Sequence, residues 1–197
     1  MRDFILYSGK GATSSGFTLK DLPGSGGRMD LISRCVISSL WLSRKVRDDT
    51  RLHISLNGPP NPPVTIRFIG KKLERVTPDE RNIALWIKKV LERTEANSED
   101  WNEAHEGIQV SSQSFRDIVR GFGDRQTYVL HEEGGDIRES EITEDPVFIL
   151  GDHEGIPERE RDFLDGAGVE KISLGPESYF SSQSIAMVHN ELDRRME

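Results

Sequence analysis

The stretch "VFILGDHEGIPERERDFLDGAGVEKISLGPESYFSSQSIAMVHNELDRR", Val147 to Arg195, decides how the chain folds. Two short apolar runs, "VFILG" and "EKISLG", end on Gly151 and Gly175, and each is followed by a helical pattern. The first pattern is "ERERDFLDGA". The second opens near Ser181, with Ile185, Val188 and Leu192 on one face, Met187 and Met196 nearby, and Ser181, Ser182 and Ser184 expected to cap its start. Strands alternating with helices imply an α/β fold, a mainly parallel sheet with helices on both faces. A polar bend just before the last helix, "GPESY", is not explained by that alternation.

Upstream, the same alternation is visible in "GIQV", a short helix around Ser114 to Arg120, and the strand "YVLHEEG". Before it, "RTEANSEDWNEAHEG" is polar and reads as a surface connection anchored by Trp101. A helix is expected ahead of that connection. Thr77 suits its N-cap, Pro78 its first position and Glu80 a capping box, followed by Ile83, Trp86, Ile87, Val90 and Leu91. Strands are expected at "RLHISLNG" and "VTIRFIG", joined by "PPNPP", which no helix or interior strand tolerates. Apolar residues at Leu31, Cys35, Leu42 and Val46, widened by Ile32, Val36 and Leu40, predict a helix from about Met29 to Arg47. "DFILYS", Asp3 to Ser8, predicts the first strand. The 197 residues suit one compact domain spanning 1–197.

The single cysteine, Cys35, excludes a disulfide framework or a cysteine-ligated zinc site within one chain. No apolar run approaches the roughly 20 residues that span a bilayer, and the N-terminus is too short in apolar core for a signal peptide, so the expectation is a soluble, cytoplasmic protein without a membrane partner. The formal net charge is -8, yet residues 1–93 hold 17 Lys and Arg against 9 Asp and Glu, leaving 9 against 25 for the remainder. A basic first half within an acidic whole suits a phosphate-bearing partner; solvated helix faces give the same split.

Ligands of open α/β sheets bind beyond the carboxyl ends of the strands. "YVLHEEGG", "VFILGDHEG" and "KISLGP" all end in glycine-containing turns and form one candidate pocket, in which Gly151, Gly155 and Gly175 let backbone approach a ligand. "GKGATS" lacks the glycine and hydroxyl spacing of a P-loop, and the Rossmann fingerprint is absent. "GDHEG" gathers Asp152, His153 and Glu154, which are metal-ligand types, but adjacent residues of one turn point apart and no second histidine-rich strand end completes a shell. Metal-dependent hydrolysis stands as an alternative, while the preferred site holds no metal. His189 is expected to be packed or exposed rather than ligating.

The two runs "VFILGDHEGIPERERDFLD" and "ISLGPESYFSSQSIAMVHNELDRR" resemble the C-terminal region of SPOUT methyltransferases. "KDLPGSGGRMDLISRCV", "NGPPNPPVTIRFIG" and "VTPDERNIALWIKKVL" resemble one branch of them, the archaeal tRNA pseudouridine-54 N1-methyltransferases, which are related to ribosomal pseudouridine N1-methyltransferases. The resemblance covers nearly the whole chain. It implies a C-terminal deep trefoil knot, with the knot and cofactor region at about residues 127–197. It also implies S-adenosylmethionine as cofactor, tRNA as partner and a homodimer.

Carried over residue by residue, the cofactor contacts implied are Leu130, Gly151, Leu174, Gly175, Pro176, Glu177, Ser178 and Tyr179, together with Ser184 where the family often has cysteine. Asp21 in "KDLPG" is the implied catalytic residue, as acceptor of the pseudouridine N1 proton or as orienter of the ring; its alternative is a helix-entry aspartate that organises the turn. Arg28, Arg34, Lys71, Lys72 and Arg75 are the RNA-binding candidates. Ribosomal RNA as the substrate, and an RNA-binding assembly factor without catalysis, are the other readings.

If the basic half carries the RNA contacts, neutralising Lys71, Lys72 and Arg75 together should weaken tRNA binding and flatten the dependence of log affinity on log salt by about 3. Filter-binding across a salt series measures this, and an unchanged slope would move the RNA surface elsewhere.

Overall fold

A computed structural model describes residues 1–93 and 98–195. Residues 94–97 of the expected surface connection, and Met196 beside the last helix, lie outside the described residues. β1 (Arg2–Ser8) leads through a one-turn helix α1 (Leu22–Ser25) into α2 (Met29–Leu40). β2 (Thr50–Leu56) and β3 (Val64–Ile69) follow, then a 3₁₀ turn (Gly70–Lys72), α3 (Glu80–Glu92), β4 (Asn102–His105) and β5 (Ile108–Ser111). The rest is α4 (Phe115–Arg120), β6 (Thr127–Asp136), β7 (Val147–Gly151), α5 (Glu158–Gly166), β8 (Glu170–Ser173) and α6 (Ser181–Arg194).

The eight strands among the described residues form one sheet in the order β4-β5-β3-β2-β1-β7-β6-β8. Neighbours from β2 to β8 run parallel, whereas β3, β5 and β4 pair antiparallel. The antiparallel end has a local cause: the proline-rich link between β2 and β3 holds no helix, and a parallel return needs a crossover of a dozen or more residues. Alternate residues of β1 divide the core. Phe4 and Leu6 face α2, α3 and α6, and Ile5 and Tyr7 face α4 and α5. The expected two-faced α/β architecture is therefore present, with an antiparallel extension.

Three local expectations are corrected. α2 stops at Leu40 rather than Arg47, because Trp41 turns extended and bridges Val46. The turn brings Arg47 back against Asp193 of α6, at 2.6 and 3.0 Å, and leaves Leu42 38% exposed. The cap of α3 is Asp79, whose carboxylate accepts from Asn82 N, while the Thr77 hydroxyl donates to that same carboxylate. Aspartate one residue before the helix reaches the free N–H groups directly, so it displaces the threonine two residues further out. The polar connection also contains a strand, β4. Its Ala104 is buried, and Trp101 packs under the Arg67 guanidinium at 3.9 Å.

His189 is packed, as expected: Nε2 lies 2.9 Å from Ser39 O, Nδ1 lies 3.2 Å from the Arg2 guanidinium, and burial pulls its pKa down to about 3. Cys35 is buried in α2, which pushes its thiol up to about 12.

At the amino end of β1, Asp3 is fully buried. Burial alone would raise its pKa, but His53 Nε2 at 3.0 Å and Arg51 at 2.7 and 2.8 Å hold the carboxyl well below the usual range. Arg125 adds a third contact at 2.7 Å. Burial depresses His53 in turn. Both depressed values give stability that is lost in acid: His53 begins the loss below about pH 6.5 and Asp3 adds to it below about pH 4. Asp3→Asn should cost about 3 kcal/mol at neutral pH, by stranding two guanidiniums, and should erase only the lower acid step. Urea unfolding from pH 3 to 8 checks both.

Candidate active site

β7, β6 and β8 end at one edge of the sheet, and their exits build a cavity of about 300 Å³. Its apolar walls include Val129, Leu130, Ile156, Leu164 and Leu174. Pairing of β6 with β8 explains the opening. Leu130 and Gly135 both register with Ile172, so residues 131–134 bulge out of the ladder and carry His131 and Glu132 to the cavity. Ser178 hydrogen-bonds Glu132 across it.

The turn after β7 is held by Asp152. Its buried carboxylate accepts from Ser8 Oγ and Gly9 N at 3.0 Å and from Glu154 N at 2.9 Å, tying the exit of β7 to that of β1. His153 Nδ1 lies 3.6 Å from that carboxylate while Glu154 turns to Lys10; among the described residues no group of three such side chains is placed to hold a metal ion. The α6 N-terminus docks onto the same turn, with Ser181 Oγ donating to Gly151 O at 2.7 Å. Ser181 is therefore a tether to β7 and not the helix cap; Phe180 occupies the cap position and its N–H donates to Gln183 Oε1 at 3.1 Å.

The glycines differ. A Cβ on Gly151 would meet the Gly155 backbone at 2.4 Å, so Gly151 permits a backbone-to-backbone contact within the turn rather than leaving room for a ligand. Gly155 at φ +75° and Gly175 at φ +132° have nothing within 4 Å of a Cβ, and both line the cavity.

Of the residues carried over from the motifs, Leu130, Gly151, Leu174, Gly175, Glu177, Ser178, Tyr179 and Ser184 all line this cavity, and Pro176 does not. Sequence reading missed His131, Glu132, Arg161, Asp165 and Lys171. Arg161 and Asp165 are four apart on α5, a helical spacing that gave a signal, and Asp165 pairs with Lys171 at 3.2 Å. The bulge that exposes His131 had no signal beyond polar residues ending an apolar run.

Asp21 lies elsewhere. It caps α1, its carboxylate accepting from Gly24 N at 3.0 Å and Ser25 N at 3.1 Å. Arg28 adopts a left-handed φ of 69° and binds Asp30 through two contacts at 3.0 Å. Arg34 shares that carboxylate at 2.7 Å and reaches Glu80 at 3.4 Å. Lys71, Lys72 and Arg75 are exposed beyond β3, which runs antiparallel to β2, so they sit at the opposite end of the sheet from the cavity.

Residues 1–196 match the family model described as "Putative SAM-dependent RNA methyltransferase". The tRNA (pseudouridine(54)-N(1))-methyltransferase of Methanococcus maripaludis strain C5 is 48% identical, covering 98% of this chain and 99% of its own. The chain belongs to the tRNA (pseudouridine(54)-N(1))-methyltransferase family. A further member of that family, from Methanocaldococcus jannaschii, is 44% identical over 99% of this chain and 98% of its own. Archaeoglobus fulgidus Nep1 bound to S-adenosylhomocysteine shares the fold, with a TM-score of 0.64 at 18% identity, covering 99% of this chain and 98% of that one. The family read from the sequence motifs is thus borne out, and the α/β fold of this chain is shared with a solved structure.

Because Gly151 packs on backbone, Gly151→Ala should act on folding before it acts on any ligand. A drop of about 2 kcal/mol is expected in chemical denaturation, the cost of forcing a methyl group into a packed site. Unchanged stability would mean that the turn opens freely and that Gly151 instead leaves space for a ligand.

Proposed function

We propose that the chain methylates N1 of pseudouridine at position 54 of tRNA, using S-adenosylmethionine. The observation that carries this reading is the meeting of eight motif residues, Leu130 to Ser184, on one cavity at the carboxyl ends of parallel strands. The names of the 48% and 44% identical relatives support the substrate, and the family description supports the cofactor.

The residues fit such a ligand. Apolar walls from Val129, Ile156 and Leu164 suit an adenine ring, open backbone at Gly155 and Gly175 suits close approach, and Glu132, Asp165 and Glu177 suit a cationic ligand. When bound, S-adenosylmethionine supplies an electrophilic methyl group on a sulfonium, for in-line displacement. The chain must then hold the acceptor ring in line, exclude water and take the N1 proton. Asp21 is our candidate for that proton. Its two backbone donors anchor the carboxylate, and each oxygen keeps a further lone pair. Arg28, Arg34, Lys71, Lys72 and Arg75 are our RNA contacts, with Arg28 and Arg34 oriented by Asp30.

We read residues 1–197 as one domain and its last part, about 127–197, as a deep trefoil knot. The tether from Ser181 back to Gly151 supports a chain end returned through an earlier loop. A homodimer is supported by Phe180, 71% exposed, and Tyr179, 41% exposed, beside the cavity. No helix among the described residues is long and apolar enough to cross a membrane, and we place the work of the protein in the cytoplasm with neither a metal nor a membrane partner.

Two variants test the reading. Ser184→Phe fills the cavity from a helical position without backbone strain, so S-adenosylmethionine affinity by calorimetry should fall by at least about 100-fold while the melting temperature holds; undiminished affinity would remove the cavity from the reaction. Asp21→Asn keeps a good N-cap and should leave folding and cofactor affinity intact while slowing single-turnover methylation of pseudouridine-containing tRNA by about 100- to 10,000-fold. A parental rate at neutral pH would return Asp21 to capping alone.

A further inference from the structure

The opposite end of the sheet holds a second cavity, of about 200 Å³, on the α4 face. Asp3 and Tyr7 of β1 mark the two ends, about 13 Å apart along the strand. Arg51 from β2, Arg67 from β3 and Arg125 from the approach to β6 line it, with Trp101 and His53.

Charge does not balance here. Arg51 and Arg125 both bind Asp3, so one carboxylate serves two guanidiniums. Arg67 has no carboxylate within ion-pair distance among the described residues. Its Nε donates to the neutral Gln109 Oε1 at 2.9 Å, Nη2 donates to the same oxygen, and its guanidinium lies over the Trp101 ring. Three cations line the cavity against the one carboxylate that two of them share, and the nearby Asp145 carboxylate is taken by the N-terminal ammonium, so a local excess of two positive charges remains. Arg67 is partly buried, and burial together with the like charge of Arg51 lowers its pKa to about 10. Charges removed from water are ordinarily paired. A neighbouring group is also unsatisfied: His53 is buried, its Nε2 faces Asp3, and its Nδ1 has no hydrogen-bond partner.

We propose that this cavity is a phosphate-binding site, with Arg67 as its anchoring cation and Arg51 and Arg125 closing around the same group. A free phosphate or phosphomonoester carries close to the two missing charges and a backbone phosphodiester carries one of them, and the tetrahedral oxygens of each suit guanidiniums that converge on one cavity. A backbone phosphate of RNA and a free phosphate or phosphomonoester present the same oxygens to the guanidiniums and differ in charge. The site does not depend on the methyl-transfer reading, because none of its residues lines the first cavity.

The test compares the full chain with Arg67→Gln and Arg67→Lys, melted in potassium phosphate and in potassium chloride of equal ionic strength. Phosphate at roughly ten times its Kd should raise the parent Tm by about 3–6 °C over chloride. The gain should vanish in Arg67→Gln and persist in part in Arg67→Lys, while Arg67→Gln in chloride melts no lower than the parent, since it loses an uncompensated charge. Equal melting of the parent in the two salts would overturn the proposal. So would Arg67→Gln losing stability equally in both salts, which would make Arg67 a structural partner of Trp101 and Gln109. tRNA binding then identifies the source. A salt slope lowered by about 1 in Arg67→Gln assigns the site to the RNA backbone, and an unchanged slope assigns it to free phosphate or a phosphomonoester.

Discussion

One buried carboxylate holds the working edge of this protein together. Asp152 takes donors from Ser8, Gly9 and Glu154, and so fixes the exits of β1 and β7 relative to each other. Everything on that edge leans on the turn it organises. Gly151 touches the Gly155 backbone because Gly151 has no side chain in the way, and the last helix docks its first hydroxyl on Gly151 O. The cavity is then a space bounded by chain exits, and Gly151, Gly155 and Gly175 are among the residues that line it. A site of this kind needs no cluster of catalytic side chains, because alignment of two ligands does most of the work in a direct displacement.

The two ends of the sheet solve different electrostatic problems. At the carboxyl end, Lys10 pairs with Glu154 and Lys171 with Asp165, so cations and anions there are interleaved. At the amino end, positive charge is in excess around Asp3, and the excess is partly sheltered from water by Trp101 and Phe122. A further network at that end, Arg2 and Arg47 on Asp193, pins α6 to the start of the sheet. α6 is therefore anchored at both ends, by Ser181 above and Asp193 below. Such double anchoring fixes the bend before α6 against the β6 bulge, where Ser178 and Glu132 meet.

The basic first half of the chain is dispersed by the fold. Arg28 and Arg34 share Asp30, and Arg34 also touches Glu80. Lys71, Lys72 and Arg75 project from the far end. Net charge along a sequence thus says that an anionic partner is affordable to the whole molecule, and not where that partner lies. Position in the sheet, set by the antiparallel turn at the proline-rich link, separates these residues from the cavity.

By itself the sequence determined the two-faced α/β architecture, the exit of β7 at Gly151 and the membership of the family, whereas β8 stops at Ser173, two residues before the expected Gly175. These follow from local periodicity and from long motifs in order, which survive without knowledge of contacts. The end of α2 was not legible, because Leu42 and Val46 continue the helical spacing while a contact made 146 residues away, Arg47 with Asp193, turns the chain back. Nor was β4, whose polar residues pair only because β5 lies beside them. Only the tertiary structure decided which side of Gly151 was crowded, which residues the β6 bulge exposes, and that Arg67 lacks a counter-charge. Each of these depends on what another part of the chain brings within a few ångströms, and side-chain patterns along one strand carry no record of it.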